Sequence, residues 1–166
     1  METRDRTVSV RRMQPEDAGA VADLTSQLGY PSGESDIRRR YDHIRNREDA
    51  TLFVALDTSL AIIGWIHVQG TYLLEADPRA EIWGLVVAES ARRSGVGRVL
   101  VKAAEEWAAA KGFGVIAVRS NLLRVEAHAF YERLGFEAVK NQRAYRKKLD
   151  HSMHSARGPD AHQWDR

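Results

Sequence analysis

The stretch that decides the fold covers residues 81–112, EIWGLVVAESARRSGVGRVLVKAAEEWAAAKG. Residues 82–87 are bulky and β-branched and read as a mostly buried strand. From Val96 onward, Val99, Leu100, Ala103, Ala104, Trp107 and Ala108 recur at helical spacing, with Arg98, Lys102, Glu105 and Glu106 on the other face. Gly112, after Lys111, closes that helix. Between strand and helix lies Arg92-Arg93-Ser94-Gly95-Val96-Gly97, the pattern R-x-x-G-x-G. Two glycines so spaced let the backbone curl with its N–H groups converging. The helix start adds unpaired N–H groups and the positive end of its dipole. A diphosphate is the natural guest. The competing reading is an ordinary tight turn, and the strand-turn-helix context favours the phosphate loop.

Outward from this core, residues 7–12 alternate and read as a first strand. Pro15, Glu16 and Asp17 suit a first helical turn, followed by a stripe of Val21, Leu24, Thr25 and Leu28. Ser35 or Asp36 is the expected cap of a second helix bearing Ile37, Tyr41 and Ile44, whose Arg38-Arg39-Arg40 run reads as a solvated face. Residues 52–57 and 62–72 read as antiparallel strands, with Gly64 marking a bulge or a close backbone approach. Residues 115–118 form a short buried strand and residues 127–134 a short helix ended by Gly135. Residues 144–149 alternate and are read as the last strand. The expected class is α/β (mixed α+β), a mixed sheet flanked by helices in the order β-α-α-β-β-β-α-β-α-β-β. One domain over residues 1–150 and a loose polar tail over 151–166 are expected.

The chain has no cysteine, which excludes a disulfide framework, a thiolate metal site and a cysteine nucleophile. His151, His154 and His162 are too irregularly spaced for a metal site, so none is expected. No apolar run reaches membrane-spanning length and the first residues lack a signal-peptide pattern, so a cytoplasmic protein without membrane attachment is expected. Net charge is only +2, a weak argument for nucleic acid. Its distribution is more telling. Residues 13–88 hold six Lys/Arg against twelve Asp/Glu, and residues 89–149 hold thirteen against six. A basic half suits an anionic cofactor and an acidic half a cationic substrate, set against scattered solvated charges as the plainer reading.

A second block, Ala127-His128-Ala129-Phe130-Tyr131-Glu132-Arg133-Leu134-Gly135-Phe136, joins the glycine loop at a telling separation. Together the two resemble the acetyl-CoA-binding core of the GNAT superfamily of N-acetyltransferases, whose A-x-x-F-Y-E-x-L-G-F signature the second block matches. The resemblance is sharp over residues 81–137 and diffuse over 7–149. It implies acetyl-CoA as co-substrate and a splayed central sheet. It also implies pantetheine bound by the backbone of Leu85, Val86 and Val87, and further cofactor contacts from Arg92, Arg93, Ser94, Gly95, Val96, Gly97, Arg98, Asn121, Ala127 and Phe130. Arg124 stands where the family often has Asn, and Arg93 where Gly is common.

Acetyl transfer to an amine needs a proton acceptor, oxyanion donors and a proton for the departing thiolate. Tyr131 matches the family tyrosine that supplies the proton; the alternative is a core aromatic. Glu81, fourteen residues before Gly95, stands where some family members carry a catalytic glutamate. Its competing reading is an ion pair with Arg79 or a basic residue across the sheet. His67 and water are the rival bases. The expected reaction is direct acetylation, in a ternary complex, of a small cationic amine such as a polyamine, an aminoglycoside or an amino-acid derivative. A protein N-terminus or lysine, and a non-catalytic acyl-CoA-binding module, are the alternatives. Homodimers are common in the family, and the last strand would offer an edge for pairing.

Overall fold

The computed structural model describes residues 8–27, 29–121 and 124–149. In chain order the elements are β1 (Ser9–Arg12), a 3-10 turn (Pro15–Asp17) running into α1 (Ala18–Gln27), α2 (Glu34–Ile44), β2 (Ala50–Leu56), β3 (Ile62–Thr71), β4 (Arg79–Val87), a second 3-10 turn (Glu89–Ala91), α3 (Val96–Ala110), β5 (Ile116–Val118) and α4 (Val125–Arg133). The sheet runs β1-β2-β3-β4-β5, antiparallel from β1 to β4 and parallel between β4 and β5. A parallel pair needs a crossover, and α3 is that crossover.

The pleat of β3 sorts the two faces. Gly64, Ile66, Val68 and Gly70 alternate with Trp65, His67, Gln69 and Thr71. The first set meets α3, where Ile66, Val68, Val96, Leu100 and Val101 are fully buried. Each such side chain contributes about 1.5–3 kcal/mol by leaving water. Gly64 is a close approach: a Cβ there would lie 2.8 Å from the Val86 carbonyl oxygen and 3.1 Å from Leu100. The opposite face carries α1 and α2, with Met13, Ala18, Val21, Ala22 and Ile37 packed on Val54 and Leu56, and with Leu52 and Trp65 at the margin. Arg11 on β1 grips buried Asp17 at 2.7 and 2.9 Å. Burial would raise the Asp17 carboxyl, but Arg11 and the Gln14 N–H outweigh it and hold it below the usual range.

Two expectations need correction. The second helix begins at Glu34 with Gly33 as its cap, ahead of Ser35 and Asp36. Its arginines pair along the exposed surface, Arg38 with Glu34 and Arg39 with Asp36, each at 2.8 Å. The larger correction is at the end of the chain. No strand forms in described residues 137–149, so the observed order stops at β-α-α-β-β-β-α-β-α. Alternation stabilises a strand only when a neighbour takes its hydrogen bonds and covers its apolar side. Val139, Tyr145 and Leu149 are each at least 80% exposed, and Arg143, Arg146, Lys147 and Lys148 repel one another. Leu28 and the histidines of the tail lie outside the described residues. Among the described residues no helix is long and apolar enough to cross a membrane.

Candidate active site

The site begins where β4 and β5 part. Their pairing covers only Ala80↔Ile116, Glu81↔Ala117 and Ile82↔Val118, whereas β4 stays paired with β3 as far as Val87↔Gly64. On the β3 side, His67 faces Gly84 and Val68 faces Ile82, so Trp83 is an extra residue, a β-bulge. The bulge turns β4 away from β5 and opens a fork. Beyond Ile82, no described strand covers that edge of β4. The alternate backbone groups of Leu85, Val86 and Val87 are therefore offered to a ligand lying in the fork. The Val86 side chain is spent in the core, so any such contact is a backbone one.

The glycine loop closes the far end of this fork. Gly95 is the N-cap of α3 with φ +86°, and no side chain caps the helix. The first-turn N–H groups over Val96, Gly97 and Arg98 have no upstream carbonyl partner within the helix. They point outward, where the helix dipole is positive. Arg92, Arg93, Ser94 and Arg98 surround them on the surface, while the Val96 side chain is buried beneath. Arg93 also adopts a positive φ, +63°, a conformation costly for a residue with a Cβ. An uncapped helix start with a basic rim and no bulky side chain fits the phosphates of coenzyme A.

α4 completes the fork. A Cβ on Gly97 would lie 3.0 Å from Phe130 and 3.7 Å from Val87, so the loop, β4 and α4 converge at this glycine. Tyr131 packs edge-on between Phe130, at 5.1 Å between ring centroids, and Phe136, at 5.4 Å. Burial pushes its phenol up to about 12, Arg124 opposing slightly, so it stays protonated at physiological pH. The Asn121 carbonyl accepts the Arg124 N–H at 2.9 Å and contacts the His128 ring at 2.9 Å, tying down the start of α4. Ala127 lies on the first turn of that helix.

Glu81 lies on the face opposite α3 and is almost fully buried. Its carboxylate accepts from Arg119 Nε at 2.7 Å and from the Thr71 hydroxyl at 3.1 Å, with Arg79 Nη2 at 3.8 Å. On the neighbouring strand β3, His67 is largely enclosed, and its Nε2 and the Trp65 Nε1 are buried without hydrogen-bond partners. Burial, assisted by Arg47, lowers the imidazole to about 4. His67 is therefore neutral near pH 7. A separate cleft of about 220 Å³, lined by Glu48, Asp49, Tyr72, Lys111 and Phe113, opens at the other end of α3 and belongs to none of this.

The family model for the acetyltransferase (GNAT) family matches residues 19–136. The chain belongs to the GNAT family of acetyltransferases. It is 28% identical over 151 residues to an aminoglycoside N(6')-acetyltransferase type 1 of Stenotrophomonas maltophilia, covering 87% of this chain and 95% of that protein. Among solved structures it resembles the aminoglycoside N-acetyltransferase AAC(6')-Iy in complex with CoA, with TM-score 0.77, 22% identity, and coverage of 90% and 100% of the two chains. It also resembles a transcriptional regulator from Bacillus halodurans, with TM-score 0.76, 25% identity, and coverage of 85% and 100%. The protein is an acetyl-CoA-dependent acyltransferase of this family, with the family's mixed, flanked sheet.

In this GNAT enzyme the loop residues, Val87, Phe130 and Tyr131 gather around one fork, while Glu81 sits on its other rim among cations. Sequence reasoning passed over Arg119 and Trp83. Arg119 is the first residue after an apolar strand, and Trp83 interrupts another; both signals are faint. The guanidinium of Arg119 lies 6.0 Å over the Trp83 ring.

Proposed function

We propose that this enzyme transfers the acetyl group of acetyl-CoA to a primary amine of a small cationic acceptor, with the aminoglycoside class foremost, within a ternary complex. The observation that carries this reading is the convergence of loop, fork and Tyr131 in a chain whose curated relative, matched almost end to end, acts on aminoglycosides. Acetyl-CoA when bound supplies a thioester, the amine nitrogen bonding to the carbonyl carbon as the carbon–sulfur bond breaks.

The residues take the following parts. The α3 N-terminus from Gly95 to Arg98, with Arg92, Arg93 and Ser94, holds the phosphates. The backbone of Leu85 to Val87 lines the arm, and its N–H groups serve the carbonyl oxygen. Ala127, Phe130 and Asn121 form the α4 wall. Tyr131 donates its proton to the departing sulfur, its neutral phenol needing no prior ionisation. Glu81 receives the proton lost by the acceptor, once one carboxylate oxygen is released from Arg119. His67 is neutral at pH 7 with its Nε2 enclosed and without a hydrogen-bond partner, and it takes no part in this transfer.

The test is release of CoA thiol from acetyl-CoA against polyamines, aminoglycosides, amino-acid derivatives and peptides, with a blank lacking amine. Turnover concentrated in aminoglycosides supports the reading. Turnover only with peptides, or cofactor binding without turnover of any amine, overturns it.

A further inference from the structure

Ile82↔Val118 is the last paired rung between β4 and β5, so Trp83 and Arg119 are the first residues past the parting on each strand. Their side chains bridge the apex of the fork, the guanidinium 6.0 Å over the indole. The same guanidinium, two-thirds exposed, reaches inward through Nε to Glu81, whose side chain is only 3% exposed. Solvent meets Arg119 first and the carboxylate behind it. With Arg79 at 3.8 Å, the cluster holds two guanidiniums against one carboxylate and repels an approaching cation.

We propose that Arg119 determines acceptor selectivity: its guanidinium occupies the place on Glu81 that an acceptor ammonium takes, and acceptors bind by exchanging with it. The proposal rests on the acetyltransferase reading given above. Several features suit Arg119 to be the partner that yields. It contacts the carboxylate from the solvent side, whereas the Thr71 hydroxyl and Arg79 approach the other oxygen. Exchange, unlike simple loss of Arg119, leaves the buried carboxylate paired throughout, because the ammonium replaces the guanidinium beside it. The half-exposed face of Trp83 offers a cation–π seat to either cation, the guanidinium when displaced or the incoming ammonium. The cost of displacing Arg119 falls on every acceptor, and the two guanidiniums add to it for one bearing several ammonium groups, which therefore gains most when Arg119 is removed.

The experiment compares the wild type with Arg119→Gln and Arg119→Lys, each loaded with CoA and titrated calorimetrically with neamine and with the monoamine glucosamine. Steady-state kinetics follow on the same proteins. Arg119→Gln should bind neamine about tenfold more tightly, with a smaller gain for glucosamine and a larger change in KM than in kcat. Arg119→Lys, which restores a displaceable cation, should return affinity toward wild type. In Arg119→Gln combined with Glu81→Gln the gain should vanish. Unchanged or weaker neamine binding in Arg119→Gln overturns the proposal, as does a gain that survives loss of the Glu81 charge. CoA affinity and melting temperature of each variant identify a misfolded protein, and Arg119→Lys then decides alone: its affinity must not fall below wild type. Because affinity is read without turnover, a protein that bound these amines but acetylated none would count against the acetyltransferase reading and leave this one standing.

Discussion

A Cβ placed on Gly97 would sit 3.0 Å from Cζ and 3.2 Å from Cε2 of Phe130. The first turn of α3 thus touches the ring that neighbours Tyr131, and the glycine loop and the proposed proton donor share one contact. Replacing Gly97 by Ala gains helix propensity of about 1 kcal/mol but forces Phe130 to move by a few tenths of an ångström. Melting temperature should therefore change little. Catalytic efficiency should fall about ten- to a hundredfold, because α4 is pushed off its position. Steady-state kinetics beside a thermal melt would check this, and unchanged kcat/KM would show that the contact is slack.

Tyr131 is held protonated by burial, with a value of about 12. Tyr131→Phe keeps the ring packing and removes only the O–H. The expected result is a loss of roughly 100-fold in kcat with CoA affinity within twofold or so. In the wild type the donor should remain charged with its proton up to about pH 10 and beyond, so any alkaline decline below that pH must come from another group. A variant with full activity across the pH range would remove Tyr131 from the mechanism.

His67 is lowered from 6.5 to about 4 by burial first and Arg47 second. Between those values the unfolded chain binds a proton that the folded chain refuses, so stability rises with pH across this window and is lost as pH falls through it. The full difference corresponds to about 3 kcal/mol. His67→Leu should flatten that part of the stability curve, read as denaturation midpoints from pH 7 to pH 4. An unaltered slope would mean that the imidazole opens to solvent before it titrates.

Arg93 and Gly95 both adopt left-handed backbone in the loop, but only one is glycine. For Arg93 the conformation costs about 1 kcal/mol, which Arg93→Gly relieves while adding unfolded-state entropy of similar size. Its melting temperature should stay within a few degrees of wild type. Gly95→Val, a β-branched residue at φ +86°, should lower stability by more than about 1 kcal/mol and weaken CoA binding. Equal stability of the two variants would contradict the backbone argument.

The strand, the loop and α3 were legible because their signals are local: a β-branched run, two spaced glycines, a periodic apolar stripe. Tyr131 was legible through a contiguous block. What escaped depends on distant partners. A bulge at Trp83 adds a single residue to an apolar run and leaves no periodic trace. That Glu81 pairs with Arg79 or a basic residue across the sheet was legible as the competing reading; which residue across the sheet it is was not, because only the register of β4 on β5 brings Arg119 to it. Gly33 caps α2 without a side chain, so the polar residues after it looked like better candidates. Residues 144–149 show the opposite failure: alternation was present, but no strand accepts the segment.

α4 has no fully buried residue; Phe130, Tyr131 and Leu134 rest against the core half-covered. β5, which precedes it in the chain, is three residues long. One arm of the fork is therefore lightly fastened, while the other belongs to the best-packed part of the molecule. A ligand seated between them acts as a keystone, because it adds contact area to an arm that has little of its own. Occupancy then becomes a term in the stability of the protein itself, worth about 2.7 kcal/mol at a ligand concentration a hundred times Kd. Bound cofactor should therefore raise the melting temperature and slow proteolysis near α4.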